Sequence, residues 1–134
     1  SKLDIFCKVM ADSYPTSYEV AKFFAETTYY SQDIFTSEFY LAYIGANKHP
    51  VGYAILIYVP KHSVVLLGGS GTLPEYRNRG IYTALTNHRL EEAAKKGISV
   101  AIIQASKKTS APICHKMGFD EFCQLQMYSW LKSS

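Results

Sequence analysis

The stretch Leu73-Pro74-Glu75-Tyr76-Arg77-Asn78-Arg79-Gly80-Ile81-Tyr82-Thr83-Ala84-Leu85 decides how this chain is read. The apolar run Val64-Val65-Leu66-Leu67 leads into it, and a helix-compatible run from Thr83 to Lys96 leads out. Between them stands a turn with Arg77, Arg79 and Gly80 that opens directly into the helix. A helix start presents N–H groups with no partner inside the helix, and the macrodipole adds positive potential there. Such a place binds anions, phosphate above all. Gly80 admits a ligand where a Cβ would obstruct it, and the two arginines bring charge-assisted donors. The turn therefore predicts a phosphorylated small-molecule ligand, one carrying a pyrophosphate.

Outward from this turn, helical and extended patterns alternate. Leu3, Phe6, Cys7, Met10 and Tyr14 recur at helical spacing, with Asp4 in the first turn, and Tyr14-Pro15 ends that helix. Thr16-Ser17-Tyr18-Glu19 reads as a capping box that starts a second helix, with Val20, Phe23, Phe24 and Thr27 on one face. After a polar loop over 31–37, Glu38 to Ala46, Val51 to Val59 and Val64 to Thr72 read as three strands of an antiparallel meander. Asn47-Lys48-His49-Pro50 and Pro60-Lys61-His62-Ser63 supply the turns. In the third strand, Gly68-Gly69-Ser70-Gly71 predicts a bulge or a close ligand approach. The main helix should run from about Arg79 to Lys96, stopped by Gly97. Its small stripe of Thr83, Thr86, Leu90, Ala93 and Ala94 would let it lie close to a sheet. Ile98 to Ala105 reads as a buried strand, Lys108 to Met117 as a short helix ended by Gly118, and Phe119 to Leu131 as a final strand or hairpin. The pattern is of the α/β (α+β) class, and residues 1–134 are expected to be a single domain.

Bulk properties exclude several classes. The 134 residues suffice for one real core, and 48 % apolar with 19 % charged residues describes a globular chain. A net charge of +3 suits an anionic small ligand and is too weak for nucleic acid. Cys7, Cys114 and Cys123 show no metal-binding spacing and leave an odd thiol under any pairing, which predicts reduced cysteines, no bound metal and a cytoplasmic location. No apolar run would span a membrane, and no signal peptide is visible. The start at Ser1-Lys2, without methionine, predicts a trimmed chain or the C-terminal domain of a longer protein. A P-loop would need Gly-Lys followed by Ser or Thr, and a dinucleotide fingerprint would need glycine where Pro74 stands.

The turn resembles the acyl-CoA-binding motif of the GNAT superfamily of N-acetyltransferases: Gln or Arg, two residues, Gly, one residue, then Gly or Ala. Arg77 fills the first position and Gly80 the central glycine, while Tyr82 departs from the last. Ser110-Ala111-Pro112-Ile113-Cys114-His115-Lys116-Met117-Gly118-Phe119 resembles that family's late helix and turn, L-Y-E-K-L-G-F. The likeness covers roughly residues 38 to 131, in order. It implies the acyl-CoA N-acyltransferase fold: a mixed, mostly antiparallel central sheet with helices on both faces, here without the family's usual first strand.

The same resemblance implies acetyl transfer from acetyl-CoA, as co-substrate, to a small-molecule or peptide amine; charge and hydropathy add the expectation of neither nucleic acid nor membrane as partner, with a monomer or homodimer as the working unit. The pyrophosphate would lie on Arg77, Asn78, Arg79, Gly80, Ile81, Tyr82 and Thr83. The backbones of Ser70, Thr72 and Leu73 would hold the pantetheine, and one of their N–H groups would polarise the thioester carbonyl. The amine must lose a proton, for which Glu75 is the nearest candidate, with Glu38, Tyr30 and His62 as others. The family's tyrosine that protonates the leaving thiolate is replaced by Cys114, which is either the acid or a small packed side chain, with Tyr128 or Tyr82 as substitutes. The acceptor pocket would fall within residues 14 to 37, which hold Tyr14, Tyr18, Tyr29, Tyr30 and Phe35, with Glu26, Asp33 and Glu38 close by. The departures at Tyr82 and Cys114 leave a non-catalytic acyl-CoA-binding regulatory domain as the alternative.

Overall fold

The computed structural model describes every residue except Pro15, Ser129, Leu131, Ser133 and Ser134. It divides into two compact units, Ser1–Gln104 and Ala105–Ser134. In the first, helices α1 (Lys2–Ser13) and α2 (Tyr18–Tyr30) precede strands β1 (Thr36–Ile44), β2 (His49–Val59) and β3 (Val64–Thr72), then helix α3 (Ile81–Lys95) and strand β4 (Val100–Ile103). The sheet order is β1-β2-β3-β4. The first three strands form the expected antiparallel meander, and β4 joins β3 in parallel.

Strand alternation assigns the two faces. On β2, Tyr53 and Ile55 join Phe6, Cys7 and Val9 of α1 and Ala25 of α2 in one core. A side chain at Gly52, on the other face, would meet Ile81 and Leu85 of α3. Helices therefore cover both faces, and Val51 to Leu56 are buried without interruption. This is why β2 reads as a continuous apolar run.

The local signals are partly displaced. Ser17, not Thr16, caps α2 through its hydroxyl to the Val20 N–H, so no capping box forms there. That device belongs to α1, between Ser1 and Asp4. On α2 the small residues Ala21 and Ala25 face inward, whereas Val20, Phe23 and Phe24 are exposed. Alanines let the helix approach the sheet closely, and the larger neighbours turn outward. On α3 the buried stripe is Leu85, Thr86, Arg89 and Ala93, and Ala94 is exposed. The helix stops as expected: Gly97 has φ 76°, its N–H reaches the Ala94 carbonyl at 2.9 Å and the Ile98 N–H reaches Ala93 at 3.1 Å, a Schellman closure.

Strand β4 is shorter than the expected Ile98 to Ala105, and it is not buried: Val100 and Ile102 are half exposed. Among the described residues it pairs only with β3, which makes it an edge strand. In the second unit, α4 (Ser110–Lys116) ends at Gly118, φ 96°, with another Schellman closure from Phe119 to Cys114 at 3.0 Å. The final strand expected from Phe119 to Leu131 is absent among the described residues, and Leu131 lies outside them. Phe122, Met127 and Tyr128 are exposed instead. Alternating apolar residues make a strand only when an edge pairs with them, and this segment has no ladder partner there.

Candidate functional site

The site begins at an irregularity in β3. Ala54 pairs with Ser70 and Leu56 with Leu67, so Ile55 alone faces both Gly68 and Gly69. The glycine run thus forms the bulge its composition predicts. The extra residue flips the alternation, so Leu67 before it and Ser70 after it share the α3 face. Pairing between β3 and β4 ends at Leu67 and Ile103. From Gly68 to Thr72, β3 keeps β2 on one side and has no ladder partner on the other among the described residues.

That outer edge can be resolved group by group. The Leu73 N–H donates to the Val51 carbonyl at 2.8 Å, and the Leu73 carbonyl accepts from Tyr76 at 2.9 Å. Leu73 therefore has no N–H left for a thioester. Alternation turns Gly71 toward β2 as well, and turns the backbones of Ser70 and Thr72 outward. Their outward carbonyls are occupied: Tyr14 Oη donates to Ser70 at 2.7 Å and Arg77 Nε to Thr72 at 3.2 Å. What the edge offers is the amides of Ser70 and Thr72. The hydroxyls of these residues are buried and have no hydrogen-bond partner among the described residues.

Beyond β3, a single 3-10 turn over Pro74–Tyr76 carries Glu75, which is exposed. Asn78, φ 63°, and Gly80, φ 80°, both adopt the left-handed conformation, and Gly80 is the N-cap of α3. No side chain among the described residues caps this helix. Its first bond runs from the Ala84 N–H to the Gly80 carbonyl at 2.9 Å, so the amides of Ile81 and Thr83 lie ahead of the hydrogen-bonded ladder. Among the described residues, a Cβ built at Gly80 would meet nothing within 4 Å, so the N-cap position is uncrowded. Tyr82, where the family pattern has Gly or Ala, is half-buried.

The two arginines part company. Arg79 is exposed, its guanidinium 5.2 Å from the centre of the Tyr76 ring. Arg77 is engaged with the protein: besides Thr72, its Nη2 donates to the Ser13 carbonyl at 2.8 Å. It ties the end of α1 to the end of β3, so its contribution to the turn is to place the backbone rather than to offer a loose cation.

The other candidates disperse. Glu38 is paired with Lys96 at 2.5 Å and accepts a hydrogen bond from Tyr40. Burial acts to raise its pKa, but the bonds from Lys96 and Tyr40 outweigh burial and hold the carboxyl below the usual range. His62 lies at the opposite end of β3 from Thr72. Nine residues of strand put it roughly 30 Å away, too far for a base. Tyr18, Tyr29 and Tyr30 are exposed on α2 and Tyr14 is exposed at the end of α1, while Phe35 is half-buried. Cys114, on α4, and Tyr128 belong to the second unit; Cys114 is buried. No disulfide and no cluster of potential metal ligands occurs among the described residues. No helix among them is long and apolar enough to cross a membrane.

Sequence reading overlooks Tyr14 as a partner of the β3 edge, because 56 residues separate it from Ser70. It also overlooks Arg89, although a charged residue inside the inward stripe of a helix is a signal that could have found it.

A β3 edge without a ladder partner among the described residues thus lies on the same unit as a helix start of the kind that binds anions. The sequence matches the acetyltransferase (GNAT) family over residues 4–119, and the chain belongs to that family. No curated protein matches it. Among solved structures, an acetyltransferase of Trypanosoma brucei shares 20 % identity at a TM-score of 0.70, covering 96 % of this chain and 92 % of that one. Aminoglycoside 6'-N-acetyltransferase AAC(6')-Iy, bound to a CoA-containing bisubstrate analogue, shares 21 % at 0.70, covering 97 % and 92 %. AAC(6')-IG from Acinetobacter haemolyticus shares 16 % at 0.70, covering 98 % and 94 %. At these identities the structures speak for the fold.

Proposed function

We propose that this chain is an acetyl-CoA-dependent N-acetyltransferase that works by direct attack of an amine in a ternary complex, with residues 1–134 acting as one such domain. The observation that carries the reading is the pair of outward amides at Ser70 and Thr72 on the same unit as the open turn at Gly80. The turn suits a pyrophosphate: amides at a helix start, a glycine with φ 80° and Arg79 nearby. The strand edge suits an extended pantetheine arm, with one amide directed at the thioester oxygen.

The acceptor is a small-molecule or peptide amine. A free alkylammonium has a pKa of about 10 and must lose its proton before attack. The nitrogen lone pair then adds to the thioester carbonyl, the oxyanion rests on a strand amide, the added nitrogen sheds its second proton to solvent, and the C–S bond breaks with the electron pair on sulfur. Glu75, exposed on the turn, is the candidate that takes the amine proton, directly or through water. The thiolate departs without obligatory help, and Cys114 is the candidate that returns a proton to it. Three cysteines, an odd number without metal-binding spacing, favour a reducing compartment, the cytoplasm.

A second reading, an acyl-CoA-binding regulatory domain without turnover, draws on Tyr82 and Cys114, which depart from the family pattern. One experiment separates the two. Acetyl-CoA at a hundredfold excess over Kd should stabilise the fold by about 2.7 kcal/mol, and thiol release should be followed with a panel of amines. A melting shift with amine-dependent release supports the enzyme, a shift without release supports the binding domain, and no shift at millimolar acetyl-CoA removes both.

A further inference from the structure

The α3 stripe that faces the sheet carries an arginine at its centre. Arg89 is fully buried, between the buried residues Leu85, Thr86 and Ala93. Burying a guanidinium is costly unless its donors are satisfied, so where those donors go reveals what the residue holds. Nη1 donates to the Ile55 carbonyl at 2.9 Å and to the Gly68 carbonyl at 3.1 Å. These are the two strands at the bulge, where Ile55 faces Gly68 and Gly69 together. Nε donates to the Leu85 carbonyl at 3.3 Å, and Nη2 reaches Thr86 Oγ1 at 3.4 Å. Thr86 Oγ1 in turn donates to the Tyr82 carbonyl at 2.9 Å, in the first turn of α3.

One side chain thus joins two places that serve different parts of the ligand. Gly68 stands where pairing with β4 ends and the free edge begins. Tyr82 stands two residues after Gly80, at the helix start. The ladder is locally disrupted at the bulge, and there Nη1 of the planar guanidinium bonds the carbonyls of both strands while Nε and Nη2 bond α3.

Resting on the acetyl-CoA reading above, we propose that Arg89 is a positioning residue for the coenzyme: it sets the separation between the thioester-binding amides of β3 and the pyrophosphate-binding turn of α3. Acetyl-CoA must span both places. Its nucleotide half, 3'-phospho-ADP, touches the turn alone. Loss of Arg89 should therefore weaken the two-ended ligand far more than its fragment.

The test compares affinities for acetyl-CoA and 3'-phospho-ADP by calorimetry, well below the melting temperature, for wild type, Arg89→Met and Thr86→Val. Thr86→Val removes the link to Tyr82 while nearly conserving shape, and it serves where Arg89→Met fails to fold. The expected result is at least a tenfold loss of acetyl-CoA affinity with the fragment changed less than twofold. Arg89→Lys, a point charge in place of a fork, should restore little of the loss. Wild type that binds neither ligand would overturn the coenzyme reading and the role of Arg89 with it. Wild type that binds both, with variants that lose both equally or lose neither, would overturn the positioning role alone.

Discussion

Gly80 and Gly97 bracket α3 and offer a matched pair of perturbations. Their φ angles are 80° and 76°, and a Cβ at either would meet nothing within 4 Å. Replacement by valine therefore adds backbone strain at both sites without steric collision. The left-handed region costs an L-residue roughly 1–2 kcal/mol, somewhat more with β-branching. Part of this is returned, because the unfolded chain loses freedom when glycine is replaced, by about 0.4–1 kcal/mol. The net loss should be about 1 kcal/mol for each variant, or roughly 3–5 °C in Tm at this size. Only at Gly80 does the new side chain stand before the amides of Ile81 and Thr83. Hydrogen bonds to a charged group contribute about 1.5–3 kcal/mol each, so loss of one or two predicts a fall in acetyl-CoA affinity of roughly 10- to 20,000-fold. The assay is a thermal melt of each variant followed by calorimetry with acetyl-CoA at 25 °C. Equal melting losses with affinity lost only in Gly80→Val is the expected result. Wild-type affinity in Gly80→Val would refute the phosphate site, and a comparable loss in Gly97→Val would show that the effect is not local.

Three further outcomes are expected. Arg77→Met removes the bonds to the Ser13 and Thr72 carbonyls and should lower stability by about 1–2 kcal/mol in denaturant titrations, with Arg77→Lys recovering little of it, since lysine lacks the fork. The pair Glu38–Lys96 is part-exposed, so Glu38→Gln should cost about 0.2–1 kcal/mol near pH 7. Because the folded pKa of Glu38 is depressed, that stabilisation is present above the unfolded carboxylate pKa and lost as pH falls through the folded one; wild-type and variant stabilities should converge in acid, and a gap that persists there would contradict the assignment. Direct transfer needs no protein nucleophile, so Cys114→Ala should retain turnover within about tenfold, and intact-mass spectra of protein with acetyl-CoA alone should show no acetyl adduct that chases onto an amine.

The sequence by itself determined the features whose cause is local. Gly80 before a helix, Gly97 and Gly118 after helices, and the glycine run in β3 act through their own backbone conformations or hydrogen bonds to near neighbours, so each was legible in its place. The meander was legible too, because short turns leave sequential apolar strands little choice but to pair. Tertiary structure decided everything that depends on a distant partner. Which face of α2 turns inward depends on how closely a sheet lets a helix approach, and alanines won over phenylalanines. Whether Phe119 onward becomes a strand depends on an available edge, which alternation cannot supply. The two arginines of the turn look alike in sequence, yet the Ser13 carbonyl engages Arg77 and leaves Arg79 at the surface. The amides of Ser70 and Thr72 became distinct from that of Leu73 only once Val51 had claimed the latter. A hydrogen bond is directional and specific to one partner, and for residues far apart in the chain that partner is fixed by packing rather than by spacing.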